Sequence, residues 1–408
     1  MSPAFSPGDA DVVVVNTCAF VEEARQESID TILALADGRK SGSEIVVTGC
    51  LAERYGQELA EALPEVDRVG GFGVPLTNGA GGGGPTSVAV SIGTKPSVAQ
   101  NMVPEFDLLN LPRPRSSAPW AYVKIAEGCD RACGFCAIPS FRGPQRSRSR
   151  TSILDEVEAL EVKEVVLVAQ DLASYGRDQG HGNKELIPLV SEVGALVDRV
   201  RLLYLYPSEL TDRLIDTICE TQVPYFDLSL QHVSRPLLRK MRRWGDGSLF
   251  LERIEAIRRR EPNAVFRSNF IVGYPGETEA DHDALLEFVA AARLDWCGLF
   301  SYSAEAGTYA VGLDGAVAAE LVAERLDELN LIQDTITQAQ RDDLIGEQVE
   351  VLVDAVGVGR THREAPEIDG VVRLPPNLAP GTFHSVEVVA VQGPDLLTDG
   401  AVTESDDD

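Results

Sequence analysis

Apolar residues fall along this chain in short unbroken runs separated by amphipathic stretches. Residues 11–18, DVVVVNTC, read as a buried parallel strand ending in a polar turn. Residues 21–36 place Ile29, Ile32 and Leu33 on one helical face. Residues 44–50, EIVVTGC, repeat the apolar strand and end on Gly-Cys. Two strand–helix units in series predict a small open α/β domain over 1–78, with Cys18 and Cys50 at the carboxyl ends of strands, where such folds collect their sites. A glycine-rich stretch, NGAGGGGPTS, and a proline-rich one, LPRPRSSAP, mark a linker at 79–114. In the domain assigned to 115–345, β-like runs alternate with helical ones: 121–128, 164–171, 200–207, 225–232, 265–276 and 297–303. Repeated βα units predict a parallel barrel or an open part of one. Its strands close on polar residues or glycine, namely Gln170-Asp171, Gln231-His232 and Gly273, so these are candidates to line the cavity of such a barrel. Residues 346–408 change to short strands with turns, which fits a small antiparallel barrel.

Length and charge refine this picture. A chain of 408 residues is too long for one ordinary core. No apolar run reaches the roughly 18 residues of a membrane-spanning helix. The start, MSPAFSPGDAD, lacks the basic and apolar regions of a signal peptide, so a cytoplasmic location is expected. The net charge is -28, from 36 basic and 64 acidic residues. Such a surface disfavours tight general binding to nucleic acid and attracts basic partners, although acidity also serves solubility alone. One basic island stands out, RGPQRSRSR at 142–150, which reads equally well as a binding loop or a solvated one.

Seven cysteines include three within eight residues, in GCDRACGFC. The odd count argues against a disulfide framework. The spacing, Cys129-x3-Cys133-x2-Cys136, supplies three soft thiolates on one tight loop. Three thiolates can take three irons of a cubane cluster and leave the fourth iron open to substrate. A structural zinc site normally needs four ligands, and the next histidine, His181, is far downstream. Cys219 and Cys297 lack such context and read as core residues.

The segment AYVKIAEGCDRACGFCAIPSFRGPQRSR resembles the radical S-adenosylmethionine superfamily, with Phe135 as the aromatic before the last cysteine. The segments NTCAFVEEARQESID, VTGCLAERYG, QDLASYGRD, SLQH, FIVGYPGETEAD and FSYSAEAGT resemble, more narrowly, the methylthiotransferases of that superfamily. The resemblance implies a 4Fe–4S cluster on Cys129, Cys133 and Cys136 and S-adenosylmethionine as cofactor, cleaved to a 5′-deoxyadenosyl radical. It implies a second, auxiliary 4Fe–4S cluster held in part by Cys18 and Cys50, and a C-terminal TRAM-like barrel. It also implies an electron donor, whose identity the sequence leaves open. Gly273 and Gly276, in GYPGET, are candidates for close backbone approach to the cofactor, although a plain turn accounts for them too.

Within the family, CAFVEEARQESID, KIAEGCDRACGFCAIPS, SLQH and GRTHREAPEIDG resemble the RimO-like branch, which modifies an aspartate of a basic small-subunit ribosomal protein. From Gly346 to Asp408 there are 13 Asp or Glu and 3 Arg, an acidic composition expected to suit a basic protein rather than RNA. The alternatives are the MiaB-like branch, acting on transfer-RNA adenosine, and an inactive cluster-bearing protein that binds the ribosome. The family's first cysteine lies in a Gly-Cys-x-x-Asn motif absent here. The expectation is a truncated start; the other possibility is an auxiliary cluster with two protein thiolates.

Overall fold

Strand β1, Val12–Thr17, alternates buried and exposed positions because it is the edge of a three-stranded parallel sheet of order β1-β2-β3. Strand β2, Glu44–Gly49, is central and buried almost throughout, which its unbroken apolar run requires. Helix α1, Glu22–Asp37, joins these two strands. Helix α2, Cys50–Ala62, leads on to the two-residue β3, Arg68–Val69. Val13, Ile32, Ile45, Val47 and Leu51 form the core of this unit. The computed structural model describes residues 6–19, 21–71, 117–180 and 185–401. The expected linker, His181 and the acidic tail lie outside them.

The central unit starts with β4, Trp120–Lys124. The run expected to continue as one strand to 128 breaks instead. Residues Ala126–Glu127 (β5) pair antiparallel with β6, Arg146–Ser147, and bracket the three-cysteine loop and a short helix α3, Ile138–Arg142. There follow α4 (Arg150–Leu160), β7 (Glu164–Val168), α5 (Leu186–Gly194), β8 (Arg199–Leu202), α6 (Asp212–Glu220) and β9 (Tyr225–Gln231). Then come α7 (Arg235–Lys240), α8 (Gly247–Arg260), β10 (Val265–Val272), α9 (Glu279–Ala292), β11 (Trp296–Ser301) and α10 (Ala319–Asp342). Ser149, Thr211, Ser234, Asp246 and Thr278 cap five of these helices through side-chain oxygens, which fixes where each begins. Strands β4-β7-β8 and β9-β10-β11 form two parallel sheets, joined by the parallel bridge Leu205 to Leu228. Six parallel strands in sequence order make an open (β/α) barrel, so all their carboxyl ends face one way.

The C-terminal unit is a closed barrel of order β12-β13-β14-β16-β15. Its strands are β12 (Gln348–Ala355), β13 (Val358–Arg360), β14 (Val372–Arg373), β15 (Phe383–Gln392) and β16 (Asp395–Thr398). One pair, β14 with β16, is parallel, so the barrel is not wholly antiparallel as expected. The long connection between β13 and β14 does not lie free. It plugs the amino end of the central barrel, where fully buried Ala365 packs among Val166, Leu203, Tyr225, Val265 and Trp296. Trp296 Nε1 donates to the carbonyl of Arg363 at 2.7 Å, and Tyr122 Oη to that of Pro366 at 2.9 Å.

Beneath this plug, fully buried Glu164 meets Arg201 at 2.9 Å and Arg360 at 3.2 Å. Glu350, Asp354, Glu364, Asp369 and Asp395 pair with Arg199, Arg360, Arg341, Arg267 and Arg373. Part of the acidity of residues 346–408 is thus neutralised within the protein, and the sequence count overstates the negative charge offered to a partner. Among the described residues, no helix is long and apolar enough to cross a membrane.

Candidate active site

At the carboxyl ends of the central strands lies a cavity of about 470 Å³, within the usual range for a nucleoside-sized ligand. Cys129, Cys133, Phe135 and Cys136 line one side; Gln170, Asp171 and Gln231 line it from strand ends. The loop that carries the cysteines is tightly determined. Gly128 has φ 82°, and a Cβ there would strike the carbonyl of Pro144. Its N–H donates to Gln170 Oε1 at 2.9 Å, tying the loop to the end of β7. Arg131 reaches Asp171 at 2.6 Å and Glu209 at 3.2 Å, and lies 3.6 Å over the ring of Tyr206. On the far side, the Gly134 N–H donates to the carbonyl of Met241 at 2.8 Å.

None of the three cysteines forms a disulfide. Burial pushes the Cys129 thiol up to about 11 and that of Cys136 up to about 12, so neither is a spontaneous thiolate nucleophile. A bound metal would supply the positive charge that deprotonates them. Among the described residues, no three His, Cys, Asp or Glu converge on a point that would hold a single ion. Arg243 adds a guanidinium 3.5 Å from Cys133 Sγ and 4.0 Å from the ring of Tyr206, suited to balance an anionic cluster.

Tyr204 and Gln231 enter the cavity from left-handed backbone, at φ 64° and 73°. Two such non-glycine residues at strand ends store strain where ligand contacts are made. Arg267 and Asn269 contribute from β10, and Arg267 also contacts Asp227 and Asp369, so the cavity floor rests on the plug.

Three of the expected cofactor contacts, His232, Gly273 and Gly276, do not line this cavity. His232 follows Gln231 but points into the core: it is fully buried, accepts the Ser234 N–H at 3.1 Å on Nδ1, and is driven by burial down to about 4. Strand alternation sends neighbours to opposite faces, which separates His232 from Gln231. Gly273 lies against Val322 of α10, and Gly276 against Lys240 and Gly315. Their turn is held by Glu277, which accepts the N–H groups of Gly273 and Tyr274 and pairs with Arg325 at 3.0 Å.

Cys18 and Cys50 are not among the residues that line the cavity. The register pairs Thr17 with Gly49, so a cysteine directly follows each strand, Cys50 as the first residue of α2. Gly49, at φ 95°, is required there, since a Cβ would collide with Thr17. The N-terminal unit faces the cavity through Val21, and Arg142 of the central unit donates to Cys50 Sγ. Glu305, after β11, both lines the cavity and receives Arg25 and Arg54 at 2.7 Å each. Sequence reasoning missed Glu305, Arg131 and Arg243. Glu305 sits just after a strand end in FSYSAEAGT, the position that marked Gln170 and Gln231, but it was not singled out. In the island at 142–150, Arg142, Arg148 and Arg150 pair with Glu127, Glu156 and Glu185.

An open parallel barrel with a three-cysteine loop after its first strand, beside a cavity at the strand ends, defines a radical S-adenosylmethionine enzyme. The model of the radical SAM superfamily accordingly matches residues 123–289. That of uncharacterized protein family UPF0004 matches residues 1–71, and that of the TRAM domain 332–399. A ribosomal protein uS12 methylthiotransferase RimO from Cutibacterium acnes is 42% identical, over 96% of this chain and 90% of its own. Proteins of that name from Kineococcus radiotolerans (42%) and Aquifex aeolicus (41%) also align over 96% of this chain, and over 90% and 89% of their own lengths. The chain belongs to the RimO family of radical SAM methylthiotransferases.

Proposed function

We propose that this enzyme transfers a methylthio group to the β-carbon of an aspartate in ribosomal protein uS12, with two 4Fe–4S clusters. Cys129, Cys133 and Cys136 hold the radical-generating cluster; Cys18 and Cys50 contribute to the auxiliary one. The observation that carries this reading is the docking of the paired β1 and β2 ends over the cavity through Glu305 and Arg142. The unit that carries Cys18 and Cys50 is thereby fastened to the end of the barrel that carries Cys129, Cys133 and Cys136. When bound, the radical SAM cluster supplies the electron that splits S-adenosylmethionine into methionine and a 5′-deoxyadenosyl radical.

The protein's part is position and exclusion of water. The Arg131–Asp171–Glu209 clamp holds the cysteine loop against the end of β7. Arg243 stabilises negative charge at Cys133. Phe135, Ile138, Tyr204, Tyr206 and Ile271 give the cavity apolar walls that shield a reactive radical from solvent. The plug below seals the barrel's amino end. The relatives' name supplies the substrate, and the aspartate follows from the branch that the sequence resembles.

Cys133→Ala is expected to abolish 5′-deoxyadenosine formation from S-adenosylmethionine under dithionite, read by chromatography. In cells lacking the gene, uS12 should lose the mass of one methylthio group at an aspartate. An unchanged uS12 mass with loss of a methylthio nucleoside from transfer RNA would overturn the substrate assignment.

A further inference from the structure

A second basic island lies at 235–243, where Arg235, Arg239, Lys240, Arg242 and Arg243 fall within nine residues of a chain with a net charge of -28. It differs from the first in having few internal partners. Arg235, Arg239, Lys240 and Arg242 are all exposed. Among the described residues, Arg239, Lys240 and Arg242 have no carboxylate at ion-pair distance. Lys240 Nζ donates to the carbonyl of Gly276 at 3.3 Å, and Arg242 lies 3.9 Å over the ring of Tyr309. The nearby carboxylate of Asp246 caps α8 through the Leu249 N–H. Positive charge therefore remains at the surface here.

This surface is the outer side of the piece that supports the cysteine loop. The Gly134 N–H is bonded to Met241, and a Cβ on Gly134 would stand 3.0 Å from the Lys240 carbonyl. Arg243, the next residue but two, reaches Cys133 Sγ. We propose that Arg239, Lys240 and Arg242 dock an acidic one-electron carrier protein against the three-cysteine loop, an inference that rests on the cluster assignment above. The reduced carrier loses one electron and the centre on Cys129, Cys133 and Cys136 gains it; no bond forms or breaks. A small charged patch suits such a partner, because transient electron-transfer complexes bury little area and depend on steering. Three cations are too few for phosphate-driven binding by a protein this acidic, and RNA binding would give no reason for the patch to back onto the cysteine loop.

The test uses the full chain and flavodoxin, a small acidic flavoprotein. Binding of oxidised flavodoxin is measured on protein without a cluster, by biolayer interferometry at low and high salt. Reduction of the reconstituted cluster by reduced flavodoxin is followed by stopped flow. The charge-reversed R239E/K240E/R242E should associate about 10- to 100-fold more slowly, and salt should weaken wild-type binding. The milder R239Q/K240Q, which changes two exposed side chains, should show a smaller loss in the same direction. Dithionite-driven 5′-deoxyadenosine formation should be unchanged in both. Flavodoxin association equal to wild type in R239Q/K240Q overturns the proposal, as does a patch that binds a ribosomal RNA fragment and ignores flavodoxin. If wild-type enzyme makes no 5′-deoxyadenosine with dithionite, the cluster assignment fails instead; the binding arm does not depend on it.

Discussion

The two flanking units dock on opposite ends of the same barrel, and by different physics. The C-terminal barrel seals the amino end with a buried apolar plug around Ala365 and with a web of ion pairs centred on Glu164, Arg201 and Arg360. The N-terminal unit sits at the carboxyl end, where Glu305 gathers two arginines and Phe141 packs onto the N-terminal core. One junction resembles a domain core, and the other resembles a clasp. The difference matches what each end must do. The amino end has only to keep water out of a cavity floor. Under the proposed function, the carboxyl end has to carry Cys18 and Cys50 while leaving room for S-adenosylmethionine and an aspartate side chain.

The largest expected effect is at the amino end. Glu164→Gln leaves Arg201, which is fully buried, without its carboxylate; Arg360 keeps Asp354. Burial alone would raise the Glu164 carboxyl, but Arg201 and Arg360 outweigh it and hold the group below its ordinary value. Removing one partner of such a cluster costs about 3–5 kcal/mol, because the other charge stays desolvated. Urea unfolding should report that loss. A loss below about 1 kcal/mol would mean that the plug is held by apolar packing, and the contrast between the two ends would fail.

At the carboxyl end, Glu305→Gln should act on coupling. Global unfolding should shift by less than about 1 kcal/mol, since a small junction opens locally before the whole protein does. Limited proteolysis should release the N-terminal unit faster. Misplacement by about 1 Å can cost on the order of a hundredfold in rate. Methylthio transfer should therefore fall at least about tenfold while 5′-deoxyadenosine is still formed. Equal losses of both products would make Glu305 part of the radical-generating site rather than a positioning residue.

The two junctions also differ in how far the sequence revealed them. The cysteine loop, the six parallel strands and the terminal barrel were legible because each is local: a spacing, a periodicity, a run of turns. The register that sets Cys18 beside Cys50 was half legible, as two similar strand ends. GRTHREAPEIDG was read for resemblance and for acidity, yet its role as a plug depends on Glu164, Arg201, Tyr225 and Arg267, which lie some 90 to 200 positions away. Charge counting could not tell Glu364, wholly buried on Arg341, from a surface carboxylate. The core-side position of His232 was hidden for a related reason. A polar residue at a strand end points to a site only if it lies on the cavity side of the strand.

The smallest expected effect is a difference in pH response. Burial raises Asp369 to about 6, against the hydrogen bond from Tyr225 Oη and the charge of Arg267. The folded protein thus binds that proton more tightly than the unfolded chain. Its contribution to stability is full below about pH 4 and is lost as pH rises through about 6. Glu305 has the opposite sign. Burial there is outweighed by Ser303, Arg25 and Arg54, so its pKa is lowered, and its contribution is present above the ordinary glutamate value and lost only in acid. His232 and His362, both lowered by burial to about 4, make the whole protein more stable as pH rises, so the raw curve mixes opposing slopes. The informative quantity is the comparison of wild type with Asp369→Asn, which mimics the protonated carboxyl at every pH. Between pH 5 and 7 the variant should gain on wild type by on the order of 1–2 kcal/mol in urea unfolding. Glu305→Gln should change nothing in that window beyond a constant offset. A flat difference for Asp369→Asn would mean that Arg267 keeps Asp369 ionised, and the plug would then be held by charge alone.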